Sequence, residues 1–390
     1  MKFADGQIAT LSACPVCGST AEIIAEMPDY PITEVFKPYG SDDYRGPSGA
    51  DQRLLCCAAC QHLFLGVQLP RNFIYSHYVT ESSASQGAQI ALNNFHAFVT
   101  ARSTIPASGI IDIGANDTTL LGLFAGSGAK LIGIDPNVSS DNPDIDCIKG
   151  YVEDCDLASL VPGRRVFLCS HTLEHIYDPR AFLRQLAAVL NAEDDLFMQF
   201  PSFELLVRDA RFDQVHHQHL NYFSLRSLSQ LLAECGLTAV SHRYDADHYG
   251  ALMCHIRKSG KATAPSFPVL DMAKVHAAQR AFLVSMQAAE ARIALLGDDF
   301  HCFGASLMLP ILGHYLPSLA KARSILDGSS AKHGLTYINF ERPIVGDADF
   351  DYRGSDLVIT AIATKAATRR IAGLLMERGT RNIVLPLNTL

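Results

Sequence analysis

Two pairs of cysteines near the start of the chain have the spacing of a metal-binding turn. Cys14 and Cys17 enclose two residues, as do Cys57 and Cys60. Two such pairs supply the four thiolates of a tetrahedral zinc site, and a shell closed by four protein ligands is structural rather than catalytic. Cys56 precedes Cys57 directly, but the two-residue spacing favours Cys57 as the partner of Cys60. The alternative is a pair of metal-free turns with reduced thiols.

A second chemically distinctive segment, Ile-Ile-Asp-Ile-Gly-Ala-Asn-Asp, occupies residues 110–117. Asp112 and Gly114 follow an apolar predicted strand and precede a predicted helix. Asp135 ends the next predicted strand, 21 residues after Gly114. This layout places backbone amides at a helix N-terminus and a carboxylate one strand away, where it can accept ribose hydroxyls. Dinucleotide-binding domains and class I methyltransferases share it.

The side chains of this segment favour one kind of cofactor. The Gly-x-Gly-x-x-Gly fingerprint is absent, because Asn116 and Asp117 stand where further glycines would be. A pyrophosphate requires a close approach of the backbone, which bulkier residues hinder. S-adenosylmethionine has no phosphate and carries an ammonium and a sulfonium, which suit acidic and amide side chains. It is therefore the predicted cofactor; an NAD site and an ordinary strand–turn–helix connection are the alternatives.

Two histidine-containing segments follow in the sequence. His171 and His175 come at the end of another predicted strand, where residues line the ligand crevice of a parallel sheet. Residues 216–219, His-His-Gln-His, supply three further imidazoles. Methylation of carbon needs removal of a proton next to a ketone, and histidine suits this task because its pKa lies near working pH. The alternatives are a catalytic metal held by the three histidines and Asp213, or a polar loop.

These segments together resemble the sugar C-methyltransferase family, whose members methylate nucleotide-linked keto-deoxysugars. The resemblance rests on residues 171–179 (HTLEHIYDP) and 212–224 (FDQVHHQHLNYFS). The usual form of the second segment is Phe-Asp-x-x-Tyr-His-Glu-His-x-x-Tyr-Phe-Ser. The resemblance is also supported by the two cysteine pairs, by the Tyr- and Ser-rich stretch 75–83, and by the Gly-x-Asn-Asp form of the cofactor loop. The family implies an α/β fold, in which a class I (Rossmann-like) methyltransferase domain lies between an N-terminal zinc module and a C-terminal Rossmann-like lobe.

The resemblance also implies roles for individual residues. His219 corresponds to the family's proposed general base. The substrate-side groups would be His175, His216, Gln218 and Tyr78. The cofactor-binding residues would be Asp112, Gly114, Asn116, Asp117, Asp135 and His171. The zinc ligands would be Cys14, Cys17, Cys57 and Cys60.

The sequence departs from the family pattern at three places. Gln218 replaces a Glu that could raise the basicity of a histidine, and a Gln can only donate and accept hydrogen bonds. His216 replaces a Tyr. After Gly304, residues 307–310 (LMLP) stand where the family has a Lys and a second Gly, which a diphosphate would need. We therefore expect the C-terminal lobe to hold a different substrate or only to pack against the central domain.

The elements that must position these residues form three predicted regions. The N-terminal region, 1–85, is a zinc module that contributes to the substrate site, and the central region, 86–257, is the methyltransferase domain. The C-terminal region, 268–390, follows a polar linker. The predicted central strands are 109–113, 130–134, 166–169 and 195–200, with helices at 89–99, 120–124 and 179–190. The later predicted strands are 300–303, 324–326, 356–361 and 382–385, with helices at 272–295, 306–312 and 365–378.

Composition limits the class of function. The chain has 390 residues and a formal net charge of −8, with no run of Lys or Arg, which disfavours nucleic-acid binding. It contains no apolar run long enough to span a membrane and no secretory signal, so we expect a cytoplasmic protein. Its partner would be a small-molecule methyl acceptor, and the oligomeric state a monomer or homodimer.

The sequence thus predicts an S-adenosylmethionine-dependent methyltransferase with structural Zn²⁺. The best single acceptor is a carbon of a nucleotide-linked keto-deoxysugar or a related biosynthetic intermediate, with His219 as base. One alternative is an O- or N-methyltransferase that acts on a non-sugar metabolite with the same scaffold. The other is a non-catalytic protein that binds the cofactor and zinc.

Overall fold

The computed structural model of the protein describes residues 3, 8–76, 81–83, 86–103, 107–259, 267, 269–361 and 365–387. Its strands, in chain order, are β1 (Ala9–Thr10), β2 (Glu22–Pro31), β3 (Phe36–Pro38), β4 (Gly49–Cys56), β5 (Leu63–Leu65), β6 (Val67–Gln68), β7 (Gly109–Ile113), β8 (Lys130–Asp135), β9 (Ile145–Lys149), β10 (Arg165–Ser170), β11 (Asp195–Phe200), β12 (Asn221–Tyr222), β13 (Leu237–Asp245), β14 (Ala251–Lys258), β15 (His301–Phe303), β16 (Ile325–Asp327), β17 (Leu335–Tyr337), β18 (Ile344–Gly346), β19 (Asp356–Ile359) and β20 (Asn382–Val384). Its α-helices are α1 (Arg71–Ser76), α2 (Gln86–Thr100), α3 (Thr119–Gly122), α4 (Pro179–Val189), α5 (Phe203–Arg208), α6 (Leu225–Glu234), α7 (Met272–Ala294), α8 (Leu309–Tyr315) and α9 (Lys365–Glu377).

A seven-stranded sheet forms the central region, in the order β13-β14-β11-β10-β7-β8-β9. The strands β7 to β11 pair in parallel, and β14 is antiparallel to both of its neighbours. The inner strands β7, β10 and β11 are apolar along most of their length because both faces of the sheet are covered. The predicted parallel α/β sheet is confirmed, whereas β9, β13 and β14 were not predicted.

The strand order places a ligand crevice at the middle of this sheet. β8 and β9 lie on one side of β7, whereas β10 and β11 lie on the other. The connections from β7 and β10 therefore leave in opposite directions, and a crevice opens at the carboxyl ends of these two strands. The predicted cofactor segment, with Asp112 and Gly114, lies at the end of β7, and the first histidine segment, with His171, lies at the end of β10.

The N-terminal region is hydrogen-bonded to both other regions. Its antiparallel sheet has the order β12-β5-β4-β2, and β12 comes from the segment that follows the histidine cluster. β3 pairs with β17 of the C-terminal region. Tyr30 of β2 is fully buried, and its hydroxyl donates to the carbonyl of Val215 at 2.6 Å. The three predicted regions thus share strands and core.

The C-terminal region contains a parallel sheet in the order β18-β16-β15-β19-β20. The helix predicted at 306–312 begins later, at Leu309, and β18 was not predicted. Ser306 lies in the preceding turn, where its hydroxyl donates to the carbonyl of Thr360 at 2.7 Å. The helix starts beside Pro310, whose missing N–H needs no partner in the first turn. Among the described helices, none combines the length and the apolar run that crossing a membrane requires.

A buried carboxylate fastens the amino ends of the central strands. Asp195, at the start of β11, has no exposed side-chain surface and accepts hydrogen bonds from Arg164, Arg257, His255 and Ser103 at 2.6 to 2.7 Å. Burial opposes its ionisation, but these donors outweigh burial and hold the pKa of Asp195 well below its usual value. The ionised form therefore stabilises the folded chain above the unfolded pKa of about 3.9, and this contribution is lost as pH falls towards the lowered pKa.

We expect Asp195→Asn to lower the free energy of unfolding by about 3 kcal/mol at pH 7, because it removes the charge of a fully buried carboxylate that two arginines bind. Urea unfolding measures this change. Asp146→Asn is the matched control: its ion pair with Lys130 has more than half of each side chain exposed, so the loss should stay below about 1 kcal/mol. Equal losses in the two variants at pH 7 would contradict the role assigned to Asp195.

Candidate active site

A cleft opens where the sequence predicted a ligand crevice, at the carboxyl ends of β7, β8 and β10. Counting the part that is open to solvent, its volume is about 600 Å³, and it adjoins a second open space of about 390 Å³. The residues that line both spaces are Gly114, Asp135, Thr172 and His175. The larger space is also lined by Ile74, Ser82, Asn116, Ser170, His171 and Gln218.

Gly114 lines both spaces of the cleft and packs tightly against Thr172. Its φ is +79°, and a Cβ added there would lie 2.0 Å from Oγ1 of Thr172. The Thr172 hydroxyl in turn donates to the carbonyl of Ile113 at 3.0 Å. Both the backbone conformation and the close approach exclude a side chain at position 114.

Two aspartates predicted to bind the cofactor lie beside this glycine. Asp112 is buried, and its Oδ1 atom has no hydrogen-bond partner among the described residues. Burial, with a contribution from the charge of Asp135, raises the pKa of Asp112 to about 8. Burial also raises the pKa of Asp135, although the N–H of Asn137 donates to it at 2.7 Å. Both carboxyls would therefore gain from a ligand that brings a cation or hydroxyl donors.

The two remaining residues of the loop differ in position. Asn116 has a φ of +50° and lines the cleft. Both carboxylate oxygens of Asp117 are bound by protein donors, namely the N–H and hydroxyl of Thr119 and the N–H of Ser83. These bonds hold the pKa of Asp117 below its usual value despite burial. Asp117 thus binds the first residue of α3, Thr119, and fastens the segment at Ser83 to the loop after β7.

The second space of the cleft is bordered by residues that the sequence analysis did not single out. Arg71 of α1 lies 2.7 Å from Glu153 and stacks over the rings of Tyr151 and Tyr177, 4.6 and 5.0 Å from their centroids. Arg71, Tyr151 and Glu153 all line this space beside Asp135. Their convergence requires three segments far apart in sequence, so no local pattern signals it.

His171 lines the cleft, but its ring is engaged by other side chains. Its Nδ1 donates to Oε1 of the buried Glu174 at 3.1 Å, and its Nε2 lies 3.1 to 3.2 Å from Nε2 of His248 and of Gln199. Burial lowers the pKa of His248 to about 3, so that ring is neutral at ordinary pH. His171 therefore orients Glu174, a residue of the same motif that sequence reasoning did not select.

His175 and Gln218 come from different motifs and meet at the cleft. Nδ1 of His175 donates to the carbonyl of Gln218 at 2.8 Å, since a carbonyl can only accept, and Nε2 of the neutral ring therefore carries a lone pair. The Gln218 side chain donates to Oε2 of the buried Glu34 at 3.0 Å and accepts from Thr33 at 3.3 Å. A carboxylate thus reaches position 218 from the N-terminal region, where the family pattern has a Glu.

His219 and His216 lie beyond His175. The ring centroid of His219 is 4.8 Å from that of His175 and 3.9 Å from that of His216. Burial lowers the pKa of His175 and holds those of His216 and His219 well below the usual value. His216 is buried, and neither of its ring nitrogens has a partner among the described residues. Tyr78, also predicted to face the substrate, lies outside the described residues.

The four predicted zinc ligands converge. Their Sγ atoms lie within 4.8 Å of one another, with 3.5 Å between Cys14 and Cys60 and 3.4 Å between Cys17 and Cys57. Sulfurs bound to one tetrahedral zinc ion stand about 3.8 Å apart, so this cluster is compatible with a zinc module. Cys56 instead packs in the apolar core with residues such as Leu54 and Leu63.

The turn after β15 was expected to lack a cation, because residues 307–310 contain no Lys, but a lysine lies beside it. Gly304 has a φ of +101°, and the N–H of Ala305 donates to Asp327 at 2.7 Å. Nζ of Lys332 donates to the carbonyl of Ala305 at 2.8 Å. A lysine therefore does reach this turn, from a segment 27 residues away that the local sequence could not indicate.

Comparison with known proteins agrees with the central fold. Residues 95–242 match the model of a family described as a methyltransferase domain. The C-methyltransferase NovU of Streptomyces niveus is 25% identical over 226 residues, which cover 54% of this chain and 52% of that relative. The match thus spans about half the length of each protein.

Solved structures that align with part of this chain include two methyltransferases with bound S-adenosylhomocysteine. The 1,6-didemethyltoxoflavin-N1-methyltransferase of Burkholderia thailandensis is 15% identical, with 57% of this chain and 100% of that chain covered and a TM-score of 0.40. The magnesium protoporphyrin IX methyltransferase of Synechocystis PCC 6803 is 13% identical, with 44% and 84% covered and a TM-score of 0.35. On the strength of the matched family model and the strand order, the central region carries a methyltransferase domain of the class I, Rossmann-like fold.

Proposed function

We propose that the protein transfers a methyl group from S-adenosylmethionine to a small molecule bound in the cleft. One observation carries the proposal: the cleft at the end of β7 joins the predicted cofactor residues Gly114 and Asp135 to the predicted substrate-side residues His175 and Gln218. Donor and acceptor groups must meet within contact distance for methyl transfer, and a shared cleft is what this requires. The methyltransferase family model covers this part of the chain.

The loop residues fit the chemical groups of the cofactor. Asp135, one strand away from Gly114, would accept the ribose hydroxyls. Asp112 would face the ammonium, because a cation beside this buried carboxyl favours its ionised form. Asn116 and His171 would contact the cofactor from the cleft wall. Asp117 would act by holding the loop in shape, since both of its oxygens bind protein donors.

For the acceptor we propose carbon methylation of a nucleotide-linked keto-deoxysugar or a related intermediate. A base removes a proton next to the ketone, and the resulting carbon nucleophile takes the methyl group from the sulfonium, which leaves as a thioether. His219 is the proposed base, with His175, His216, Gln218 and Tyr78 as substrate-side groups. The relative named a C-methyltransferase and the resemblance of residues 212–224 support this acceptor.

Transfer to oxygen or nitrogen of a non-sugar metabolite is the second candidate. Gln218 favours it, because an amide at this position cannot raise the basicity of a neighbouring histidine as a carboxylate would. Such acceptors lose a proton more readily than carbon does, and proximity to the methyl donor then accounts for much of the catalysis.

We further propose that Cys14, Cys17, Cys57 and Cys60 hold a structural zinc ion. The convergence of four thiols fits the closed shell of such sites. Cys14 and Cys17 precede β2, and Cys57 and Cys60 lie between β4 and β5. The ion would therefore fix the region that supplies Arg71 to the cleft and Glu34 to Gln218. The C-terminal region would bind part of the substrate or pack against the rest, and the protein would be a monomer or homodimer.

Calorimetry with S-adenosylmethionine tests the cofactor assignment. Asp135→Ala should raise Kd by at least about tenfold, because two hydrogen bonds to a charged acceptor are lost. Asp144→Ala removes an exposed aspartate at the other end of the connection from β8 to β9, and it should leave Kd unchanged. No binding by the wild-type protein at millimolar cofactor would refute the proposed function.

Release of S-adenosylhomocysteine with a panel of nucleotide-linked keto-deoxysugars tests the acceptor. His219→Ala should lower turnover at least about 100-fold while cofactor binding is retained. His242→Ala, an exposed histidine on β13, is the control. If His219→Ala keeps most of its turnover, carbon methylation with this base is wrong, and transfer to oxygen or nitrogen is favoured.

Metal analysis tests the cysteine site. The wild-type protein should contain about one zinc per chain, and the double variant Cys14→Ser, Cys17→Ser should lose it together with stability. Cys56→Ser should keep the metal, because that thiol packs in the apolar core. Full zinc content in the double variant would contradict the ligand set.

A further inference from the structure

Three potential metal ligands meet beside the cleft, and one of them, His175, lines it. Glu174, His175 and His219 each offer one ligand atom, and these atoms lie within 4.8 Å of one another. Glu174 and His175 belong to the short turn Leu173–His175 after β10, whereas His219 lies in the loop before β12. The cluster is separate from the four cysteines.

Two of these residues present polar atoms that lack partners. Oε2 of Glu174 and Nδ1 of His219 are buried and have no hydrogen-bond partner among the described residues. Glu174 is only 1% exposed. An unpaired buried carboxylate oxygen is costly, and such an atom in a folded protein calls for a ligand, an ion or a water molecule.

The surrounding hydrogen bonds orient the cluster as they do around bound metals. His175 donates its Nδ1–H to the carbonyl of Gln218, which leaves Nε2 free to bind a cation. His171 donates to Oε1 of Glu174, which turns Oε2 away from that bond. A histidine that donates to a backbone carbonyl and a carboxylate fixed by a neighbour are both typical of metal ligands.

We propose that Glu174, His175 and His219 bind a divalent first-row metal cation, which in turn holds an oxygen atom of the acceptor. Two imidazoles and one carboxylate occupy one face of such an ion and leave positions open for substrate or water. Ligand atoms about 2.1 Å from one octahedral ion stand about 3 Å apart, so the side chains need to close by about 1 to 2 Å.

The position of the cluster links the ion to methyl transfer, and this part rests on the proposed function. His175 lines both spaces of the cleft, beside Gly114 and Asp135. A cation there would act as a Lewis acid on a hydroxyl or keto oxygen of the acceptor and stabilise the negative charge that develops on it. The acceptor class is therefore narrowed to molecules that carry such an oxygen next to the methylated atom. His219 cannot bind the ion and act as the base at once, so the metal site goes with the second candidate function, transfer to oxygen or nitrogen.

Binding of Mn²⁺ and Co²⁺ to the zinc-loaded protein tests the site without knowledge of the acceptor. Mn²⁺ prefers oxygen and nitrogen ligands and leaves the cysteine cluster undisturbed. Loss of the electron paramagnetic resonance signal of free Mn²⁺, and the visible absorption of bound Co²⁺, measure occupancy. We expect one ion per chain, and at least about tenfold weaker binding in Glu174→Gln and in His175→Gln. His242→Gln, which alters an exposed histidine, should bind as the wild-type protein does.

The two variants make the outcome decisive. If one of them does not fold, as judged by circular dichroism, the other still tests the site. No binding of either ion by the wild-type protein up to millimolar concentration, or unchanged binding in the folded variants, overturns the proposal. Calorimetry with S-adenosylmethionine on the same preparations tests the proposed function separately from the metal site. If the protein binds the cofactor but neither cation, the proposed function stands and only the metal site is wrong.

Discussion

The close contact between Gly114 and Thr172 is the constraint on which the cleft depends. The loops after β7 and β10 approach until a Cβ at position 114 would lie 2.0 Å from the Thr172 hydroxyl. That hydroxyl also donates to the carbonyl of Ile113, so the two loops are hydrogen-bonded as well as packed. Because of this contact, the predicted cofactor residues and the histidine turn line one cavity. A side chain at position 114 would push the two loops apart and widen the cleft between them.

The second half of the site depends on the N-terminal region. The loop with the histidine cluster is bound to that region on each side: Tyr30 donates to Val215, Tyr30 accepts from His217, and Gln218 donates to Glu34. β12, which follows the cluster, completes the N-terminal sheet. The N-terminal region, which contains the two cysteine pairs, is therefore more than a separate small domain. It fixes the height and orientation of the histidines above the central sheet, so loss of the module would also deform the cleft.

Burial gives the site its electrostatic character. The imidazoles of His175, His216 and His219 are held neutral, and the pKa of Asp112 is raised to about 8. An interior of this kind favours ligands that bring positive charge, and it places acidic and basic groups in states that differ from those in water. By contrast, Asp195 at the opposite end of the strands is kept ionised by two arginines and a histidine. The same sheet thus carries a stabilising charge cluster at one end. At the other end lie neutral imidazoles and a buried carboxyl, some of whose polar atoms have no hydrogen-bond partner among the described residues.

The sequence by itself determined the parallel central sheet, because continuous apolar strands alternate with helices, and it determined which side chains stand at the strand ends. It also indicated the cysteine pairs, since their spacing is local. Only the tertiary structure decided what those side chains contact. Asp117 was predicted to face the cofactor, but its oxygens bind Thr119 and Ser83. Glu174 was not selected from its motif, and folding both buries its Oε2 without a partner among the described residues and brings its carboxylate within 4.8 Å of a ring nitrogen of His219. The physical reason is that hydrogen-bond partners and burial come from segments distant in sequence, which no local pattern of residue types encodes.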